Sequence, residues 1–285
     1  MKKIYITDLD GTLFNSKAEI SDFSKKTLKE FLDNEKLTFF TARSYHVARK
    51  KLGDIPFNIP CSVLNGCYIM DYLSGKVYKK NVIDFVVAKQ IIKLALEKNI
   101  IPIVICQCGQ QEKMLYGDYY NNGYKEYIIQ RKEKNDKRLQ KFDFRNNLEF
   151  LSEVDCLTLQ FVDYEDELLE LKKVINSFSI NCYLGKELYC KDAFYLNVTP
   201  LKATKEDSLK IIAQMLDMNL EDFVVFGDQE NDIGMFEISG ESCAVENAIQ
   251  SLKDISTRVI DSNEDDGVAK YLKRILIQGG EDNDR

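Results

Sequence analysis

The stretch that decides the fold of this chain is residues 4–14, IYITDLDGTLF. A short apolar run is followed at once by two aspartates, Asp8 and Asp10, and then by Gly11-Thr12. A strand that ends in this way places both acids at the carboxyl edge of a sheet, where open α/β folds bind their ligands. Two carboxylates so close together repel each other, which costs stability. The pattern therefore indicates a divalent cation or covalent phosphate chemistry.

The composition is that of a globular protein large enough to bury a core. The chain has 285 residues, 45% of them hydrophobic and 30% charged, which suits one large domain or two modest ones. No apolar run reaches the length of a membrane span, and the apolar run near the N-terminus is too short for a signal peptide. We therefore expect a cytoplasmic protein with no membrane partner.

The charged residues, the cysteines and the single histidine exclude further classes of protein. A formal net charge of −7 argues against nucleic-acid binding, and the basic-looking residues 131–138 (RKEKNDKR) are interpreted as a solvated helix face or loop. The eight cysteines form no paired C-x-x-C motifs, so we expect free thiols and no zinc site. His46 is the only histidine, which argues against a Ser-His or Cys-His pair; we expect it on a helix surface.

Short apolar runs alternate with helical patterns in the first and last thirds of the chain. Strands are predicted at residues 3–7, 37–41, 62–64, 223–226, 242–245 and 258–260, with helices between most of them. This alternation is typical of a parallel sheet in an α/β fold. The middle of the chain combines paired strands with helices and predicts a separate α+β insert. We therefore predict a core formed by residues 1–81 and 199–285, with residues 82–198 inserted as a second domain.

Four polar residues follow predicted strands of the core: Asp8, Thr41, Asn65 and Asp228. Because the carboxyl ends of parallel strands meet at one edge of a sheet, we expect these side chains to lie close together. Strand ends are commonly polar, which by itself would explain Thr41 and Asn65. It does not explain the acids, to which Asp232 adds another at the start of the next predicted helix.

Asp8, Asp228 and Asp232 together predict an oxygen-rich site of the kind that Mg²⁺ prefers. Asp232 alone would serve as a helix cap, but a second acid four residues earlier favours a shared site. An anionic substrate also needs a cation from the protein, and Lys202 and Lys205 are both candidates. We prefer Lys205, because it opens a predicted helix whose free N–H groups favour an anion.

These residues resemble the motifs of the haloacid dehalogenase superfamily, most closely its Cof-type branch (subclass IIB, with a C2-type cap). The four motifs match, in the family's order, Asp8-Leu9-Asp10-Gly11-Thr12, Thr41 in FFTARS, Lys205, and Gly227-Asp228-Gln229-Glu230-Asn231-Asp232 with Met235. Two positions depart from the branch pattern, since Ala42 and Glu206 stand where glycine is usual. Neither departure removes a reacting group.

The resemblance implies a Rossmann-like parallel-sheet core with a large α+β cap inserted between the second and third motifs. It also implies a Mg²⁺-dependent phosphatase that acts on a small phosphorylated metabolite, a sugar phosphate in the first instance, through an aspartyl-phosphate. In this scheme Asp8 is the nucleophile, and Asp10 protonates the leaving alcohol and then activates water. The cap would close over the site and select the leaving group.

The resemblance implies roles for the remaining site residues as well. Mg²⁺ would be held by the carboxylates of Asp8 and Asp228 and by the backbone carbonyl of Asp10, with Asp232 orienting the metal's water ligands. The phosphoryl oxygens would be bound by Thr41, Lys205, the backbone N–H of Leu9 and Asn231. Arg43 is expected either to contact the substrate or cap, or to form a surface salt bridge.

Two other functions fit the same residues. A phosphosugar mutase, such as a phosphomannomutase, would share the nucleophile and a similar cap. A phosphate-sensing or regulatory protein would keep the site without turnover. For assembly we expect a monomer or a weak homo-oligomer. Residues 116–127 (YGDYYNNGYKEY) are interpreted as a surface loop, with contact to a sugar as the alternative.

Overall fold

The computed structural model of the protein describes residues 3–109, 111–186 and 193–283. The chain divides into two compact units, one formed by Met1–Lys80 with Lys202–Arg285 and the other by Asn81–Leu201. The predicted insert, residues 82–198, lies within the second unit. The identification of the two units as catalytic core and cap stays a prediction.

The first unit is built on a five-stranded parallel sheet. Its strands are β1 (Ile4–Thr7), β2 (Lys36–Phe39), β12 (Phe223–Gly227), β13 (Glu241–Val245) and β14 (Arg258–Ile260). Neighbouring strands all pair in parallel, in the order β14-β13-β12-β1-β2. All four residues of β1 are buried, as expected for a strand flanked on both sides within a parallel sheet. Thr7 is level with Phe226 of β12, so these two strands end side by side.

Helices connect these strands, as the alternating pattern predicts. They are α1 (Asp22–Leu32), α2 (Tyr45–Leu52), α6 (Lys205–Leu216), α7 (Ile233–Ile238), α8 (Gln250–Ile255) and α9 (Gly267–Asn283). The hydroxyl of Thr204 accepts a hydrogen bond from the N–H of Asp207 at 2.9 Å and so caps α6. His46 lies on α2 and is exposed, which confirms the prediction for the histidine.

A small antiparallel sheet adjoins this unit's main sheet. It contains β3 (Cys61–Val63), β4 (Tyr68–Met70) and β5 (Val77–Lys80). We predicted that the strand at 62–64 belongs to the parallel sheet, and this is wrong beyond a single parallel bridge between Phe40 and Ser62. The chain turns away because Leu64 and Asn65 both have a φ of +52°, which ends the extended backbone.

In its described residues, the second unit contains a six-stranded sheet and three α-helices. Its strands are β6 (Ile103–Cys108), β7 (Gln111–Tyr116), β8 (Leu139–Lys141), β9 (Asp155–Asp163), β10 (Ile180–Lys186) and β11 (Phe194–Pro200), and its helices are α3 (Phe85–Glu97), α4 (Asn122–Glu133) and α5 (Glu165–Ile175). The strand order is β10-β11-β9-β6-β7-β8. Ile103 packs in the cluster with α4, whereas its neighbour Val104 packs with α3 and α5. Successive strand residues face opposite sides, so helices cover both faces of this sheet.

The interpretation of residues 116–127 as a surface loop holds for residues 117–121 and is wrong for the rest. Tyr116 ends β7 and the second half of the segment begins α4, where Tyr124 and Tyr127 are buried. The Tyr124 hydroxyl accepts a hydrogen bond from the N–H of Gly117 at 2.9 Å. The sequence pattern does not predict α4 if its tyrosines are treated as polar residues. In the structure, the tyrosine rings form the apolar face of this helix.

The fold class expected from the sequence is confirmed within the part of the chain that the structure describes. The fold class, a parallel-sheet α/β core with a strand-rich α+β insert, is as predicted. The seven described cysteines are free, and Cys190 lies outside the described residues. No helix among the described residues is long and apolar enough to span a membrane.

Candidate active site

The neighbouring strands β1 and β12 place two aspartates side by side at the carboxyl edge of the parallel sheet. Asp8 directly follows β1 and Asp228 directly follows β12. The N–H of Asp8 donates to the carbonyl of Phe226 at 3.0 Å, which extends the strand pairing to the first acid. Both aspartates are 5% exposed. The sheet therefore brings together acids from opposite ends of the sequence.

Lys205, the first residue of α6, lies between two of the acids. Its Nζ donates to Asp8 Oδ1 at 2.6 Å and to Asp232 Oδ1 at 2.5 Å. The lysine is 2% exposed, so this pair of ionic hydrogen bonds is shielded from water. Lys202, the other candidate cation, is exposed. The structure thus places at the carboxylates the lysine that the sequence favoured.

Asp232 is the anchor of the loop that follows β12. Its Oδ2 accepts hydrogen bonds from the N–H groups of Asp228 at 2.9 Å and Gln229 at 3.1 Å, while its Oδ1 binds Lys205. Both oxygens of this fully buried carboxylate are therefore engaged within the protein. Asp232 holds the lysine and the Asp228 backbone in fixed positions, which suits the predicted indirect role beside a metal better than direct ligation.

The site has less positive charge than its acids require. Burial raises the pKa of the Asp8 carboxyl to about 7, against the opposing effect of Lys205. Burial, with the nearby Asp232, also raises the pKa of Asp228 to about 6. For Lys205, burial lowers the pKa, but Asp232 and Asp8 together raise it above its usual value. One lysine does not balance three buried carboxylates.

These carboxylates fit a divalent metal ion. Asp8, Asp228 and Asp232 each offer an oxygen, and the three oxygens lie within 4.8 Å of one another. Carboxylate oxygens are the donors that Mg²⁺ prefers, and a dication would offset the charge that burial makes unfavourable. Since Asp232 is already engaged on both oxygens, Asp8 and Asp228 are the carboxylates best placed to hold the ion.

Gly11 and Thr12 of the first motif both contact the carboxylate of Asp228. A Cβ on Gly11 would lie 2.2 Å from Asp228 Oδ2, and the φ of this residue is +76°. Only glycine adopts this backbone without strain and leaves room for the carboxylate. The Thr12 hydroxyl donates to Asp228 Oδ1 at 3.1 Å. The Gly-Thr pair thus fixes an acid from the far end of the chain.

Asp10 and Arg43 form an ion pair beside the buried carboxylates. The Nε and Nη2 of Arg43 donate to Asp10 Oδ2 and Oδ1, both at 2.5 Å. The Arg43 N–H donates to the hydroxyl of the buried Thr41 at 3.1 Å, so the second motif contacts the first through this arginine. The sequence analysis left Arg43 open between a substrate contact and a surface salt bridge and did not identify Asp10 as its partner.

A signal for this pair does exist in the sequence pattern. β1 and β2 pair in parallel with Thr7 level with Phe39, and Asp10 and Arg43 lie three and four residues beyond these positions. An acid and an arginine at matching distances beyond neighbouring parallel strands are expected to meet. The order of the strands, with β2 beside β1, is known only from the structure.

Asn231 and Asn65 lie together at the edge of the site. The Asn231 side-chain N–H donates to Asn65 Oδ1 at 3.1 Å, and Asn231 is exposed. The left-handed backbone at Leu64 and Asn65 costs energy in residues other than glycine, and such strain is concentrated at functional sites. Leu9, whose backbone N–H is a predicted phosphate ligand, has a buried side chain between the two aspartates of the first motif.

The parallel sheet, the acids at its carboxyl edge and the buried lysine define an α/β protein with a carboxylate-rich site at its strand ends. Comparison with known proteins specifies the family. Residues 5–272 match the family of haloacid dehalogenase-like hydrolases, and the chain belongs to it. The family predicted from the four motifs is thereby confirmed, and so is the prediction that the protein is a hydrolase of this type.

Individual relatives share nearly the whole length of the chain. The 5-amino-6-(5-phospho-D-ribitylamino)uracil phosphatase YwtE of Bacillus subtilis is 27% identical over 97% of this chain and 98% of its own. The crystal structure of TM0651 from Thermotoga maritima has a TM-score of 0.77 and 26% identity, covering 96% of this chain and 97% of its own. The subclass IIB sugar phosphatase BT4131 shares the fold, with a TM-score of 0.71 and 20% identity over 97% of this chain and 100% of its own.

Proposed function

We propose that the protein is a Mg²⁺-dependent phosphatase that hydrolyses a small phosphorylated metabolite, of the sugar-phosphate class, through an aspartyl-phosphate on Asp8. The observation that carries this proposal is the buried contact of Lys205 with Asp8 beside Asp228. A carboxylate held by a lysine in a site short of positive charge is suited to receive a phosphoryl group. Structural stability alone does not favour three buried acids around one lysine.

In the first step, an oxygen of Asp8 attacks phosphorus and the bond to the leaving alcohol breaks. Lys205 binds Asp8 Oδ1, which orients the carboxylate and leaves Oδ2 for the attack. For this step one Asp10 oxygen leaves the Arg43 guanidinium and takes a proton from solvent, and Asp10 then gives this proton to the departing oxygen, so that the alcohol leaves neutral. In the second step, Asp10 takes a proton from water, and the resulting hydroxide attacks phosphorus and restores Asp8.

The remaining residues bind charge and orient groups. Thr41, Lys205, the N–H of Leu9 and Asn231 are proposed to hold the phosphoryl oxygens. The carboxylates of Asp8 and Asp228, with the backbone carbonyl of Asp10, would hold the Mg²⁺, and Asp232 would orient its water ligands. The bound ion would supply positive charge for the anionic substrate. The unit inserted in the chain between Thr41 and Lys205 is proposed to select the leaving group.

The substrate class rests on the resemblance to the Cof-type branch and on the Bacillus subtilis relative. The substrate in that relative's name carries its phosphate on a ribityl chain, which is a small polyol ester. The family membership supports the hydrolase chemistry, and the buried carboxylates support the metal. A small, polar phosphomonoester is therefore the class of substrate that we propose.

A phosphate-release screen tests the proposal. The pure protein with Mg²⁺ is incubated with a panel of phosphorylated metabolites, with Asp8→Asn as the control that removes the nucleophile. We expect free phosphate from one or more sugar or polyol phosphates and none from the control. Exchange of the phosphate between positions of a sugar, without release, would identify a mutase instead. No turnover across the panel would favour a phosphate-sensing protein.

A further inference from the structure

The ion pair between Arg43 and Asp10 is more tightly built than a surface contact. Each oxygen of Asp10 accepts one N–H from the same guanidinium, both at 2.5 Å. The Arg43 side chain is 24% exposed and that of Asp10 is 46% exposed, so the arginine is the more buried partner. Bidentate pairs of this kind fix the plane of a carboxylate as well as its position.

Arg43 is also held independently of Asp10. Its N–H donates to the Thr41 hydroxyl at 3.1 Å, and its carbonyl accepts from the N–H of Leu64 at 2.9 Å. Its guanidinium carbon lies 5.9 Å from the centre of the Phe14 ring. The backbone and side chain of this arginine are therefore restrained before any contact with Asp10 is counted. A restrained donor can orient a more exposed acceptor.

The half-exposed Asp10 needs such a support. Asp8 is held by Lys205 within the buried cluster, whereas Asp10 has Arg43 as its ionic partner. Resting on the proposed function, we propose that Arg43 is a positioning residue for Asp10. It holds the carboxyl group at the leaving-group side, where one Asp10 oxygen exchanges a guanidinium N–H for the departing oxygen of the substrate while the other oxygen stays bound.

This role differs from phosphate binding in what it predicts. A residue that binds the phosphoryl group acts on every phosphomonoester to a similar extent and raises KM. A residue that acts through Asp10 lowers kcat/KM only for esters whose leaving oxygen needs a proton. The later attack of water, which Asp10 also assists, follows release of the alcohol and so does not enter kcat/KM. Esters of acidic phenols leave without that help, so they report on the rest of the site.

The experiment compares Arg43→Ala and Arg43→Lys with wild type on three phosphomonoesters: an alkyl, a phenyl and a 4-nitrophenyl ester. For Arg43→Ala we expect kcat/KM on the alkyl ester to fall by about 30- to 100-fold, within the range of general acid catalysis, and to change little on the 4-nitrophenyl ester. Arg43→Lys keeps the positive charge but loses the pair of N–H donors that bind both oxygens of Asp10. We therefore expect most of the same fall in kcat/KM on the alkyl ester. KM should change little.

Three controls make the test decisive. Lys50→Ala removes a positive charge from an exposed residue of α2 that has no proposed role in catalysis or binding, and it should leave all three rates unchanged. Asp10→Asn should reproduce the dependence on leaving group with a larger loss. The double variant Arg43→Ala with Asp10→Asn should be no slower than Asp10→Asn alone, because the two residues act as one unit.

Two results would overturn the inference while leaving the proposed function intact. Equal losses on all three esters with a raised KM would make Arg43 a phosphate ligand instead. A double variant slower than Asp10→Asn by the full Arg43→Ala factor would show that the residues act independently. Absence of turnover of every ester by wild type would remove the proposed function itself, and this inference with it, which is a different outcome from activity without dependence on the leaving group.

Discussion

Each of the two units contains a cation that bridges two carboxylates, and the two clusters behave in opposite ways. In the first unit, Lys205 binds Asp8 and Asp232. In the second, Arg138 binds Asp136 through Nη2 at 2.7 Å and Nε at 2.9 Å, and it binds Glu112 through Nη1. Each cluster therefore consists of one cation in contact with two carboxylates.

The pKa values separate the two clusters. Hydrogen bonds from Arg138 lower the pKa of Asp136, because the guanidinium outweighs a moderate loss of solvent. Burial raises the pKa of Asp8 even though Lys205 is in contact. The first cluster is fully buried and contains Asp228 as a further acid, whereas the side chain of Arg138 is 34% exposed. An acid whose cation outweighs its loss of solvent is typical of a structural ion pair, whereas buried acids whose pKa stays raised beside their cation point to function.

Removal of the proposed nucleophile should give the largest effect. Asp8→Asn removes the attacking oxygen's charge and is expected to reduce turnover by about a thousandfold or more, as loss of a catalytic nucleophile does in other enzymes. The matched change in the second unit, Asp136→Asn, should leave turnover within about twofold. Steady-state phosphate release measures both, and circular dichroism checks that each variant is folded. Near-normal turnover by Asp8→Asn would refute nucleophilic attack by this residue.

Removal of the bridging cation should cost more stability in the first cluster than in the second. Lys205→Ala leaves buried carboxylates without their partner and is expected to cost about 3–5 kcal/mol in the free energy of unfolding. In Arg138→Ala, water reaches the acids that have lost their partner more easily. We therefore expect this change to lower the free energy of unfolding by only about 1–2 kcal/mol. Urea unfolding followed by fluorescence or circular dichroism measures the two costs. Equal costs would mean that burial does not distinguish the clusters as we infer.

Metal binding should act on the first cluster alone. A ligand that binds only the folded protein stabilises it by about 2.7 kcal/mol at a hundredfold excess over its Kd, so Mg²⁺ should raise Tm and EDTA should reverse the rise. Asp228→Asn is expected to abolish this shift, and Asp136→Asn to preserve it. Thermal unfolding across a Mg²⁺ titration provides the measurement. A shift that survives Asp228→Asn would place the ion elsewhere.

The pH dependence of the second cluster should give the smallest effect. Because the pKa of Asp136 is lowered on folding, its contribution to stability is present above the usual value of 3.8 and is lost as pH falls through the folded value. The difference in unfolding free energy between wild type and Arg138→Ala should therefore shrink as the pH is lowered from neutral to about 3. Urea unfolding at several pH values tests this. If the difference grew as the pH fell, the pKa of Asp136 would not be lowered on folding as stated.

The parts of the fold and site that could be predicted from the sequence share one property. Asp8 and Asp228 directly follow apolar strands, and Lys205 opens a capped helix, so their positions depend on local pattern and on the parallel arrangement of strand ends. The family motifs then supplied the roles of these residues, which stay predictions. Apart from the sheet to which β3 belongs, the strands and helices of the first unit needed no knowledge of distant contacts.

The parts that were missed depend on long-range pairing. The helix α4 gains its apolar face from tyrosine rings that pack on strands distant in the sequence. The hydrophobic pattern of the segment itself does not predict a helix. Residues 131–138 are a mostly exposed helix end and turn, as interpreted, but the ion pair of Arg138 with Glu112 was missed. The pairing of β7 with β8 brings these two residues together. The Asp10–Arg43 pair needs the order of neighbouring strands. Local sequence pattern identifies the residues at the end of each strand, but it does not identify which strands are neighbours.

The central claim is that Asp8 receives the phosphoryl group. The most direct measurement is a rapid acid quench of the enzyme during turnover of a ³²P-labelled phosphomonoester with Mg²⁺, followed by mass spectrometry of the labelled peptide. We expect a base-labile phosphoryl group on the peptide that contains residue 8, specifically on Asp8, formed and lost at rates that match turnover. Continued release of phosphate with no covalent label, or with the label on another residue, would contradict the account.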